Sequence, residues 1–154
     1  MEITKKWLDE QGACGEGVEW FIESKFEGIE GIALVKKTMK KKMDWANWLV
    51  VRLMTHDQQI RYAIFAAEKV IDIYEKKYPL DNRPRKAIEA AKKYLGDKTE
   101  QNKKAAASAA SAAYAASSAA YAAYAAAYAA YAAAKSDMFK TIINYGIEII
   151  QGEK

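Results

Sequence analysis

Residues 105–134 read AAASAASAAYAASSAAYAAYAAAYAAYAAA, thirty positions holding twenty-one Ala, five Tyr and four Ser, with no charge, no branched aliphatic and no Gly or Pro. Ala has the most favourable helix propensity of any residue, and a run this long overcomes the nucleation cost that defeats short helices, so the stretch is predicted to be helical. Tyr114, Tyr121, Tyr124, Tyr128 and Tyr131 follow one another at steps of 7, 3, 4 and 3. That is the a/d alternation of a heptad, and it places every ring on one stripe. Each buried Tyr removes about 150 Å² from water, so five in a row amount to roughly 750 Å². Monomeric proteins rarely leave so large an apolar patch uncovered, which makes the stripe core, oligomer seam or partner face.

Working upstream, Asp97 or Thr99 opens this helix, with Asn102, Lys103 and Lys104 as its polar beginning. Before it, a sixth helix capped by Asp81 or Asn82 tolerates Pro84 in its first turn, carries Ala87, Ile88, Ala91 and Leu95, and stops at Gly96. A fifth helix opens with capping-box spacing at Thr55 and Gln58 and steps through Ile60, Ile64, Ala67, Ile71 and Tyr74, ending before Pro79. Asp44 caps a fourth, which bears Trp45, Trp48, Leu49 and Leu53. Three shorter segments, 4–11, 18–26 and 32–42, precede it, the first two separated by a turn of Gly12, Gly15 and Gly17 around Cys14. No strand is predicted. Downstream, Lys135-Ser136-Asp137 is a solvent-facing turn of the long helix or a break, and Met138, Ile142, Tyr145 and Ile149 continue the stripe if the helix continues.

The expectation is an all-α chain, an elongated bundle of about six or seven helices built around one long Ala/Tyr-rich C-terminal helix. Residues 1–154 form one domain, with the bundle in 1–96 and the long helix in 97–151. Residues 100–134 alone span about 50 Å at 1.5 Å each, whereas a compact globule of this size is roughly 40 Å across. The domain is therefore elongated, or the helix kinks, with Ser117 and Ser118 as the hinge, or part of it protrudes into a partner. Tyr114, Tyr121 and Tyr124 are expected on the fifth and sixth helices, and Tyr128 and Tyr131 nearer a seam.

At 154 residues, with 51% apolar and 12% aromatic content, the chain can bury a core without staples. Its formal charge of +4 is too small to predict nucleic-acid binding without a concentrated patch. Cys14 is the only cysteine, which fits a reducing compartment. The N-terminus has no apolar signal core and Ala is too weakly apolar for a membrane span, so a cytoplasmic location is expected.

Catalytic chemistry is sparse. One His and one Cys lie far apart, and no Cys/His set has metal-ligand spacing, so the reading is a non-enzymatic chain with no metal and no cofactor. His56 suits a surface or capping role, and Cys14 a partly buried structural thiol. Two clusters stand out. Arg83 and Arg85 flank Pro84, and Glu68 and Asp72 on the preceding helix are their expected partners across an antiparallel pair. Trp45 and Trp48 lie three apart on one helix, close to Arg52.

The order of Cys14, Glu19-Trp20-Phe21, Asp44-Trp45 to Trp48-Leu49, Tyr62-Ala63-Ile64-Phe65-Ala66-Ala67-Glu68, Tyr78-Pro79, D-N-R-P-R at 81–85, Ala87 to Ala91 and the Ala/Tyr repeat resembles the fifth immunity-protein family of bacterial polymorphic toxin systems, found in bacterial and phage genomes. The resemblance runs from about Cys14 to Tyr145. It implies all-helical architecture and neutralisation of a toxin by binding it, and the leading reading is a chain that binds a protein partner, a toxin or a defence component, directly. The family supplies no catalytic residues. Tyr128, Tyr131, Arg83, Arg85, Arg52 and Trp48 are the candidate contacts. The alternative reading is a helical homo-oligomer that sequesters a small anionic, nucleotide-like ligand to block immune signalling.

Overall fold

Helices begin where a side chain can satisfy free backbone N–H groups, and the first third of the chain uses three different starts. The computed structural model describes residues 1–108 and 132–152. Helix α1, Lys5–Glu10, starts after Thr4, whose Oγ1 accepts from the Trp7 N–H at 3.1 Å. Helix α2, Gly15–Glu23, starts after Cys14. Helix α3, Gly31–Lys41, is capped by Glu30, whose carboxylate accepts from the Ile32 and Ala33 N–H groups at 3.0 and 2.8 Å. Burial opposes ionisation of Glu30, but the two N–H donors outweigh it and the carboxyl titrates below its usual range.

Two very short strands, β1 (Glu2–Ile3) and β2 (Ile29–Glu30), pair antiparallel with Ile3 opposite Ile29. They correct the expectation of a strand-free chain. Two residues are too few for alternation to show in a sequence. The pairing closes because Gly28, at φ 78°, turns the chain so that its N–H reaches the Ile3 carbonyl at 2.9 Å.

Helix α4, Met43–Arg52, places Lys42 rather than Asp44 at its N-cap. Asp44 instead lies in the first turn, where a carboxylate complements the helix dipole. Next come α5 (His56–Lys77), α6 (Arg83–Gly96, with Pro at the first turn), α7 (residues 100–108) and α8 (Ala132–Gln151). Helix α8 passes through residues 135–137 without a break. Of the expected stripe Ile149 is buried and Met138, Ile142 and Tyr145 are half-buried, while Ile143 and Ile147 beside it are buried as well.

Among the described residues the chain is all-α apart from that two-residue ladder. Two compact units result, one made of Met1–Thr55 with the chain from Phe139 onward, the other of His56–Met138. The first buries Ile3, Leu8, Phe21, Leu34, Val35, Ala46, Leu49 and Val50, each at most 5% exposed. In the second, α5 packs on α6 with Tyr62, Ile64 and Ile71 buried. The tyrosine stripe from Tyr114 to Tyr131, the Ser117–Ser118 hinge and the placement of those rings lie outside the described residues.

Candidate functional site

Helices α5 and α6 pack as an antiparallel hairpin over buried Tyr62, Ile64 and Ile71, and at its edge acids on one helix face bases on the other. Asp57 pairs with Lys98, Glu68 with Lys92 at 2.5 Å, and Glu75 with Arg85 at 2.5 Å, rising numbers on α5 meeting falling numbers on α6 and beyond. This register corrects the pairing expected for the arginines. Asp72 does approach Arg85, at 3.7 Å, but Glu68 stands about 10 Å further up α5 from Glu75 and belongs to Lys92 instead.

The hairpin turn is held by one carboxylate. Asp81 Oδ1 accepts from the Arg83 backbone N–H at 3.1 Å and from Arg83 Nε at 2.8 Å, while Oδ2 accepts from Arg83 Nη2 at 2.7 Å and from the Tyr74 hydroxyl at 2.7 Å. The Arg83 fork, with the Tyr74 hydroxyl second, holds the Asp81 carboxyl well below the usual carboxylate range. The same contact raises Tyr74, whose ring lies 5.0 Å from that of Tyr78. Arg85 grips Glu75 in parallel, at 2.5 and 2.6 Å, and lowers it. On the turn so fixed, Leu80 is 98% exposed. An apolar side chain displayed on a pre-organised turn loses little freedom on meeting a partner.

The first unit carries a different surface. Trp45 and Trp48 share a helix face yet diverge. Trp48 meets Trp7 edge-on at 6.5 Å and takes the Arg52 guanidinium over its ring at 3.8 Å. Arg52 also donates to the carbonyls of Trp48 at 3.2 Å and Gln11 at 3.4 Å. Trp45 leans on Trp20 at 5.7 Å and carries Lys42 Nζ over its ring at 4.9 Å. Between these rings lies a cavity of about 280 Å³. Gly17 keeps it open, since a Cβ there would stand 3.3 Å from Cys14 Sγ and 3.8 Å from the Trp45 ring. Cys14 is exposed, which corrects the partly buried thiol; the N-cap position of α2 turns it outward at the cavity wall.

The structure thus brings Arg52 and Trp48 together in one unit and places Arg83 and Arg85, each in an ion pair, in the other. Tyr128 and Tyr131 lie outside the described residues. Sequence reasoning missed Leu80 and the Tyr74–Asp81 bond. A leucine between Pro79 and Asp81, in a turn otherwise polar, was the available signal. Among the described residues no group of three or more His, Cys, Asp or Glu could hold a metal, and no helix is long and apolar enough to cross a membrane.

No curated protein and no solved structure matches this chain. A family model does, over residues 49–153. The span includes the α5–α6 hairpin and its D-N-R-P-R turn, and leaves Cys14, Glu19-Trp20-Phe21 and Asp44 to Trp48 outside. With more than half of its length matched, the chain belongs to the family described as Imm-5 like putative immunity protein.

Proposed function

We propose that this protein neutralises a toxin, or a defence component, by binding it directly, and that the α5–α6 turn is the contact. Membership of an immunity-protein family carries the reading. The turn supports it because Leu80 is displayed on a frame of forked ion pairs within the matched span. Around it Lys76, Lys77, Arg83, Arg85 and Lys86 outnumber Glu75 and Asp81, so the partner surface is acidic with an apolar pocket. Arg83 and Arg85 act here as the frame and rim. The anion-sequestering alternative draws no support from these arginines, whose forks already hold carboxylates.

Titration calorimetry against any toxin encoded beside the gene tests this. Leu80→Ala should leave the melting temperature unchanged and weaken binding about 10- to 100-fold, the value of burying one leucine side chain at about 1.5–3 kcal/mol. Absence of binding by the unaltered protein overturns neutralisation by contact. Intact binding by the variant overturns the turn as its surface.

A further inference from the structure

Aromatic faces carry negative potential, so a recess built from several rings selects ligands by charge as well as by shape. The cavity in the first unit is lined by Trp20, Phe21, Trp45 and Trp48. Two of these rings already hold a cation, Lys42 over Trp45 at 4.9 Å and Arg52 over Trp48 at 3.8 Å. The lining contains no Lys, Arg or His, and its single charged member is Asp44.

Asp44 is exposed and forms no ion pair among the described residues. Its nearest basic neighbour in sequence, Lys42, is held by Glu16 at 2.8 Å. The first turns of α2 and α4 contribute partial positive charge at this rim. Glu16 and Asp44 sit in those turns; Lys42 binds Glu16 and also feels Asp44, so two carboxylates face one ammonium there, and Asp44 is the one on the cavity lining. Size adds a bound: benzene fills an engineered cavity of about 150 Å³, so about 280 Å³ takes one aromatic ring and a compact ammonium group. We infer that this cavity binds small aromatic ammonium cations, with the ring against the tryptophans and the charge facing Asp44. Apart from Leu49 the residues concerned precede the family match, so the site stands independently of toxin binding.

Benzyltrimethylammonium is the probe, and tryptophan fluorescence is the readout, since three of the four Trp line the cavity. Saturable binding is expected, weakened about fivefold by Asp44→Asn, the size of one exposed charge contact. Phenylacetate, with a similar ring and the opposite charge, should bind at least tenfold more weakly. Cys14, the only cysteine and part of the lining, should react more slowly with N-ethylmaleimide when the probe is bound. Asp44 is exposed, so Asp44→Asn should leave the fold intact, and the Cys14 protection needs no variant. Equal affinity for phenylacetate, unchanged affinity in Asp44→Asn, or no protection of Cys14 would each overturn the inference.

Discussion

Asn102 is one of two buried polar residues among those described, and it sits in the first turn of α7. It is 6% exposed, and its Nδ2 donates to the Asp97 carbonyl and to Asp97 Oδ2, both at 2.9 Å. Its backbone N–H donates to Thr99 Oγ1 at 3.3 Å, so the residue closes the first turn of α7 from both sides. Asn102→Ala removes the two side-chain bonds. A neutral bond contributes about 1 kcal/mol and a bond to a charged group about 1.5–3. The two together would give about 2.5–4 kcal/mol, but Asp97 is exposed and its freed oxygens return to water, so the loss falls below that, to about 1–2 kcal/mol. At about 2–4 °C per kcal/mol for a chain of this size, the melting temperature should fall by roughly 2–8 °C. Asn102→Asp should cost more, because it sets a carboxylate against the Asp97 carboxylate where a donor stood. The assay is thermal denaturation followed by circular dichroism at pH 7. Asn102→Asp as stable as the unaltered protein at pH 7 would refute the anchoring role.

Three further outcomes follow from the same geometry. Burial pushes the Tyr62 hydroxyl up from 10.0 to about 12. The folded chain therefore holds that proton more tightly than the unfolded one, and stability is lost as pH rises from 10 to 12. Absorbance titration at 295 nm should show a late tyrosine that disappears in Tyr62→Phe; an unchanged curve contradicts the burial argument. Asp81 has the opposite sign: its folded pKa lies below the unfolded value of about 4, so its contribution is present above that pH and lost as pH falls. Urea midpoints from pH 2 to 6 should differ between the unaltered protein and Asp81→Asn most at the upper end, and a constant difference would remove Asp81 as the clamp. Leu49, 2% exposed in the first unit, should cost about 2–5 kcal/mol on truncation to Ala in equilibrium unfolding. A loss below 1 kcal/mol would mean that the unit is not packed around α4.

The α5–α6 hairpin was legible almost in full. Its apolar steps from Ile60 to Tyr74, the stop before Pro79 and the Pro84 start are local signals, and α5 and α6 begin and end where those signals lie. Its ion pairs were legible only as a set of charges. Whether Arg85 meets Glu75, Asp72 or Glu68 depends on the register of two helices. One helical turn of slip changes every partner, and no local propensity encodes that slip.

By itself the sequence determined the class. Residues with helical periodicity and cap signals cannot bury a stripe except by packing helix on helix. Tertiary structure alone decided the surfaces. Asp81 closes a turn because Tyr74 and Arg83 converge on it, Leu80 is left outward by that closure, and four rings from two helices enclose a cavity whose lining bears one carboxylate. Such features depend on which side chains meet across elements, and residues distant in sequence meet only once packing has set the register.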